Sequence, residues 1–355
     1  MESKKNLKHS GFEIGLYTLA DIVPSPLTGE TISASQRIKE IIQAAKLADE
    51  GGLDIFGVGE HHRLDYAVSS PQVVLAAIAQ ATKRIKLTSA TTVLSTVDPV
   101  RLFEDFATLD LISDGRAEII AGRGAFLESF PLFGFDINDF DNLFKENIEL
   151  LLKINENERI SWSGRFRSQL KNAEIAPRPL QKKLPIWLGV GRTPKSADRA
   201  GRLGVGMAMV ILDGESIWYK PLVDLYRKAA TESGHQEQLN VSITGQGYLA
   251  DTTQQAMEEF YPFYFNYWAY LNRQRGMTFK MKLEDLEKMT SPETALFVGS
   301  PQQIVEKILY QYELFGHRRF MVQMDIGGIP FENVARAIEL LATEVAPVVR
   351  KKIST

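Results

Sequence analysis

Apolar positions along this chain fall into two alternating rhythms. Short, nearly continuous apolar runs at 12–19, 53–59, 85–93, 117–121, 185–190, 206–212, 241–250 and 319–324 predict strands. Between them lie longer stretches in which apolar residues recur every three or four positions. These predict helices over 35–50, 71–82, 99–112, 142–155, 194–202, 217–233, 302–315 and 332–349. The first carries Ile38, Ile41, Ile42, Ala45 and Ala48 on one face and stops at Gly51-Gly52. Pro71, Pro99 and Pro194 open later helices, where a missing N–H costs nothing. Ser113-Asp114-Gly115 closes the third.

Eight strands, each followed by a helix, imply parallel pairing through right-handed crossovers. Closure into a single (β/α)₈ TIM barrel spanning 1–355 is the expected fold. Two stretches exceed the plain barrel. Residues 157–184, with Trp162, Gly164, Pro177 and Pro179, read as an irregular, partly extended excursion before strand five. Residues 254–293, between strand seven and the last helices, contain an aromatic run from Phe260 to Trp268. Long insertions in compact domains are functional or disordered, and this one is too aromatic for disorder. It is a candidate lid or subunit interface.

Composition narrows the partners. The 355 residues are 44% hydrophobic and 24% charged, with a formal net charge of −3. No basic stripe points to nucleic acid, so a small-molecule substrate is expected. The absence of cysteine excludes disulfides, thiolate metal sites, iron–sulfur clusters and a cysteine nucleophile. The lysine-rich start, 1–10, has no apolar stretch behind it and does not read as a signal peptide. No window reaches the length of an apolar membrane span. A cytoplasmic location is the expectation.

In such barrels the chemistry sits at the C-terminal ends of the strands. Strand two ends in Glu60-His61-His62, which holds two of only five histidines. Either this is an acid/base site, or one histidine caps a helix while the other is buried against Glu60. A metal would need further ligands. His9 lies in the leader, His235 in a loop, and His317 before strand eight, at the opposite end of the barrel. Strand four runs into Gly122-Arg123-Gly124, and strand five into Gly189-Val190-Gly191-Arg192-Thr193-Pro194. Glycines admit a ligand to the backbone, arginine binds phosphate, and a helix N-terminus attracts anions. Neither turn is a Walker loop or a full Gly-x-Gly-x-x-Gly. Together they favour a phosphate-bearing ligand. Strand three ends in Ala90-Thr91-Thr92-Val93-Leu94, which is either barrel core or a flat seat for an aromatic ring system.

Taken in order, these segments resemble the bacterial luciferase-like flavin monooxygenase family. Asp98-Pro99-Val100-Arg101, Thr108 through Arg116, Trp187 through Gly191, Ala200-Gly201 and Gly327-Gly328-Ile329-Pro330 extend the likeness over nearly the whole chain. The resemblance implies reduced FMN, supplied by a separate flavin reductase, with its ring on Ala90–Thr91 across a cis peptide. It implies a phosphate held by Arg123 and the turn Gly189, Val190, Gly191, Arg192 and Thr193, with Gly122 and Gly124 beside the cofactor. It makes His61 the acid/base and Glu60 the residue that orients or tunes it. Substrate oxidation would run through a flavin C4a-hydroperoxide, shielded by the aromatic insertion. A homodimer through helices two and three is implied as well. A deazaflavin-dependent dehydrogenase on the same fold and a non-catalytic flavin-binding protein stand as alternatives. Two departures stand out. Gly122 occupies the place of the luciferases' cysteine, and Gly189 and Val190 replace polar phosphate contacts.

Overall fold

The computed structural model describes residues 11–124 and 126–354, so the lysine-rich start and His9 lie outside the described residues. Eight parallel strands close on themselves. They are β1 (Glu13–Thr18), β2 (Ile55–Val58), β3 (Lys86–Ser89), β4 (Ala117–Gly122), β5 (Ile186–Val190), β6 (Gly206–Val210), β7 (Val241–Leu249) and β8 (Arg319–Gln323). Each pairs with the next, and β8 returns to β1 through Glu13 opposite Arg319. The alternation read from the sequence is therefore a closed (β/α)₈ barrel.

The surrounding helices begin as α1 (Ala34–Glu50), α2 (Pro71–Ala81), α3 (Pro99–Ile112), α4 (Phe140–Glu156), α5 (Pro194–Arg202) and α6 (Lys220–Glu232). After β7 come α7 (Thr253–Gln274) and α8 (Pro301–Phe315), and after β8 comes α9 (Phe331–Leu340). Local chemistry sets several starts. Ser33 accepts the Gln36 N–H, Asp98 accepts those of Val100 and Arg101, and Thr252 accepts that of Gln255. Large apolar side chains fill the layer between strands and helices. A smaller cluster of Tyr17, Ile55, Ile120, Trp187, Ala208 and Met321 packs separately from that layer.

The structure departs from the sequence expectations in four places. The run 85–93 is not one strand. β3 ends at Ser89, the Ala90–Thr91 peptide is cis, and Thr92–Val93 pairs separately with β4. The excursion 157–184 carries an antiparallel hairpin, Arg159–Trp162 with Leu170–Glu174, which alternation of exposed and buried residues permits. The insertion 254–293 is chiefly the 22-residue α7, with a short helix at Leu283–Met289. The last predicted helix widens into a π turn at Leu341–Val345 before continuing as Ala346–Ser354. A further strand, Phe297–Gly299, adds to β7 outside the ring.

The motif Thr108–Arg116 holds the barrel's lower rim. Arg116 donates to the carbonyls of Ala79, Thr82, Ile85 and Ser113. Asp110 takes the Ala117 and Gln181 backbone N–H groups. One guanidinium and one carboxylate thus satisfy chain ends that burial would otherwise leave unpaired.

Candidate active site

The loop after β2 puts Glu60, His61 and His62 at the mouth of the barrel. The two imidazoles have different surroundings. His62 Nε2 lies 3.0 Å from Glu60 Oε1, and Glu60 Oε2 accepts the Val93 N–H at 3.1 Å. Glu60 is therefore spent on its neighbour and on the floor strand. Among the described residues Glu60 makes no hydrogen bond to His61, and its contacts run to His62 and the Val93 N–H instead. His61 instead stacks on Tyr66, with ring centres 4.1 Å apart, and takes the edge of Phe126 at 5.3 Å. Among the described residues nothing hydrogen-bonds its ring nitrogens. Burial, reinforced by the Arg63 guanidinium, pushes its pKa down to about 4. His61 is a neutral imidazole at pH 7, facing a cavity.

That cavity holds about 330 Å³. Ala90, Thr91, Ile120, Ala208, Val210 and Met321 line it from the strands with small or apolar atoms. Thr91 is seated by two glycines. A Cβ on Gly122 would come within 2.4 Å of Thr91 Oγ1, and one on Gly189 within 3.2 Å of its Cγ2. Glycine at 122 thus makes room for the threonine. Gly124 sits at φ +86, a backbone conformation that side chains resist.

A neighbouring pocket of about 430 Å³ shares Val210, Leu212 and Trp268 with the first. Gly191, Arg192, Tyr219, Tyr264 and Phe279 are among its walls. The two arginines of the glycine turns go different ways. Arg123 Nη1 donates to Asp141 at 2.8 Å and Nη2 lies 3.4 Å from Ser196 Oγ, in the first turn of α5. Lys195 joins the same carboxylate at 3.1 Å, and Arg199 is close enough to Arg123 for its own pKa to be lowered, burial being the larger cause. Arg123 and Lys195 thus share the Asp141 carboxylate beside the first turn of α5. Arg192 is engaged instead by Asp213 at 2.5 Å and by the Tyr219 hydroxyl at 3.2 Å. Thr193 N-caps α5 with no side-chain hydrogen bond, and Val190 is buried.

The aromatic insertion supplies the remaining wall. Along α7, Phe260, Phe263, Tyr264, Tyr267 and Leu271 are buried, and Tyr267, Trp268, Leu271 and Arg275 line the cavity. The helix is tied to the His61 loop. Tyr66 and Tyr267 share a hydrogen bond at 3.1 Å, Arg63 donates to Gln274, and Gln274 donates to Asp65 at 3.2 Å. Gly327, at φ +72, lets the turn after β8 lie against Phe263, where a Cβ would meet the carbonyl oxygen at 2.2 Å. Its N–H donates to buried Asp21, which also faces Arg37 at 3.8 Å. Burial raises Asp21 to about 6, although Arg37 opposes the shift.

Sequence reasoning missed Tyr17, Tyr66, Phe126 and Arg275 as cavity or wall residues, whereas Tyr267 belongs to the aromatic run it singled out. No turn or motif marks them. Tyr17 comes from β1, Tyr66 and Phe126 from the loops after β2 and β4, and Arg275 from the end of α7, and only the regular placement of strand ends could have suggested Tyr17.

Residues 12–319 match the sequence model of luciferase-like monooxygenases. The chain is 25% identical over 334 residues to the oxygenase component of a flavin-dependent trigonelline monooxygenase from Acinetobacter baylyi, covering 88% of this chain and 90% of that protein. A monooxygenase from Streptomyces bottropensis superposes with a TM-score of 0.81 at 26% identity, over 95% of this chain and 99% of that one. The oxygenating constituent of 3,6-diketocamphane monooxygenase from Pseudomonas putida, solved with FMN, superposes at 0.78 with 22% identity, over 95% and 98%; at that identity it shows the fold alone.

Proposed function

The chain belongs to the luciferase-like monooxygenase family, and on that footing we propose that it oxygenates a small organic molecule using reduced FMN bound across the barrel mouth. The observation that carries this reading is a small, apolar floor at Ala90–Thr91 in a cavity that shares walls with a second pocket at Gly191 and Arg192, the turn that leads into α5, where Arg123 lies by Ser196. A trigonelline monooxygenase relative named as flavin-dependent supports the same cofactor. Bound FMN would supply two electrons to O₂, so that one oxygen atom enters the substrate and the other leaves as water.

The protein's own residues fit the group. Thr91, held by Gly122 and Gly189, keeps the floor shallow enough for a ring. Arg123 and Ser196, with the first-turn N–H groups of α5, hold the phosphate; the open space beside Gly191 leaves the turn accessible. Val190 and Thr193 act through the backbone. Arg192 serves the wall formed with Asp213 and Tyr219 rather than the phosphate. His61, neutral and without a protein partner, accepts or returns a proton at a ring nitrogen. Glu60 acts at one remove, by fixing His62 and the Val93 N–H. Tyr267, Trp268 and Leu271 exclude water from the floor.

Reduced flavin would come from a separate reductase, a reading supported by the relative named as an oxygenase component. A homodimer would use the groove between α2 and α3, where Val73, Leu111 and Ile112 are exposed. No described helix is long and apolar enough to cross a membrane, and the cytoplasm is the proposed location.

Titration of the purified protein with FMN, and separately with a deazaflavin, tests the reading. FMN should bind below about 100 μM, and Arg123→Ala should weaken it by about tenfold to a hundredfold, the value of a charge-assisted contact. His61→Ala should leave FMN affinity intact and change the pH dependence of O₂-driven oxidation of the bound reduced flavin. Deazaflavin binding with hydride exchange and no O₂ uptake would transfer the protein to the dehydrogenase alternative. Binding of neither would overturn the proposal.

A further inference from the structure

The cavity wall contributed by α7 is graded from end to end. Tyr267, Leu271 and Arg275 are spaced four residues apart, so they stack on one helix face. All three line the cavity. At 1.5 Å of rise per residue, a phenol, an alkyl group and a guanidinium span about 12 Å of wall.

The two polar ends are both incomplete. Tyr66 and Tyr267 make one hydrogen bond between two hydroxyls. One of the two protons is used by that bond, and of the pair Tyr267 is the one that lines the cavity. At the other end, Arg63 and Arg275 lie over the Phe126 ring, at 5.0 and 5.7 Å. Arg63 is committed to Asp65 through two hydrogen bonds of 2.8 Å. Arg275 has no carboxylate partner among the described residues. Among the described residues, the one carboxylate lining the cavity, Glu60, is occupied by His62 and Val93. The cavity therefore presents one charge without a protein counter-ion among the described residues, the solvent-exposed Arg275 at the rim, where α7 ends.

We infer that the substrate is a small organic acid with an apolar body, held by its carboxylate at Arg275 with the body between Phe126 and Leu271. The end remote from the carboxylate lies toward Tyr267 and His61 and is the part oxidised. This deepens the flavin-monooxygenase reading and rests on it. Arg275 is a specificity residue that no sequence motif marked.

The test uses FMN-loaded protein and three acid–amide pairs: benzoate, phenylacetate and cyclohexanecarboxylate, each with its primary amide. Perturbation of the bound flavin's absorbance reports binding. At least one acid should bind about fivefold or more tightly than its amide, in keeping with a single charge-assisted contact. Arg275→Gln should bring that ratio to one while leaving FMN affinity unchanged, Arg275→Lys should retain part of it, and added salt should narrow it. The inference is overturned if no acid binds, if acids and amides bind alike, or if Arg275→Gln leaves the ratio unaltered. It is also overturned if that variant loses FMN instead, which would assign Arg275 to the phosphate. FMN binding is measured first and separately. Its failure sinks the flavin reading, whereas normal FMN binding with a ratio of one sinks only the acid.

Discussion

The two ends of the barrel handle charge in opposite ways. At the N-terminal end, Arg319 reaches Glu13 at 2.6 Å and Glu118 at 2.7 Å, and Lys86 reaches the same two carboxylates at 2.6 and 3.3 Å. Trp187 donates its indole N–H to Glu118 at 3.0 Å, and Arg319 lies over the Trp187 ring at 4.4 Å. Burial alone would raise Glu118, but Arg319 and Lys86 hold it down to about 2. Two cations and two carboxylates close on each other. At the C-terminal end the groups stay open: His61 lacks a partner, Arg275 lacks an anion, and Arg123 shares one carboxylate with other cations. Completed charge fixes the strands in register, and incomplete charge is what a ligand completes. The same barrel thus keeps its stability and its chemistry at opposite rims.

Breaking the closed end should have the largest effect. Glu118→Gln leaves the buried Arg319 with Glu13 as its one remaining carboxylate and should cost about 3 kcal/mol, the low end of the penalty for breaking a buried ion pair. Urea denaturation followed by circular dichroism measures it. FMN affinity of the fraction that remains folded should be unchanged, and a parallel loss of FMN affinity would dissolve the separation of the two ends.

The open end should reveal itself through pH. His61 titrates near 6.5 when unfolded and near 4 when folded, so the unfolded chain takes up the proton first. Stability is full above about pH 6.5 and falls as pH drops toward 4, by at most about 3 kcal/mol for this group. His61→Gln should remove that part of the acid sensitivity. Of the remainder, His317, which burial lowers to about 3, acts with the same sign, as do carboxylates held low such as Glu118, while Asp21 works the other way. The difference between wild type and variant across pH 4–7 is the measurement, and parallel curves would show His61 to be solvated.

The smallest effect concerns the floor. Gly122→Ala places a Cβ against Thr91 and should destabilise by about 1–3 kcal/mol. Thr91→Ala in the same chain should recover most of the loss. A double-mutant cycle without coupling would refute the seating of Thr91 by Gly122.

Much of the lower rim and the whole alternation were legible. Helix starts at Pro71, Pro99 and Pro194 and the stop at Gly115 are local chemistry, and local chemistry is written in consecutive residues. His61 and the two glycine–arginine turns were legible for a related reason: a parallel barrel brings every strand's C-terminal end to one face, so sequence position predicts side. The division of labour within the motifs was not legible. Glu60 lies beside His61 in sequence yet serves His62, and Arg192 lies in a phosphate-type turn yet serves Asp213. Side-chain direction over one or two residues depends on loop conformation, which periodicity does not report.

By itself, then, the sequence determined the repeating βα pattern and the end of the strands on which candidate chemistry gathers, because these follow from hydrophobic period and chain direction; closure of the eight units was favoured by their number and is made by β8 pairing with β1. Tertiary structure alone decided that α7 crosses the mouth, that Tyr267 meets Tyr66 across 201 positions, and that Arg275 ends beside Phe126 without an anion. Such contacts are set by where packed elements meet in space. No local propensity encodes a meeting between residues so far apart along the chain.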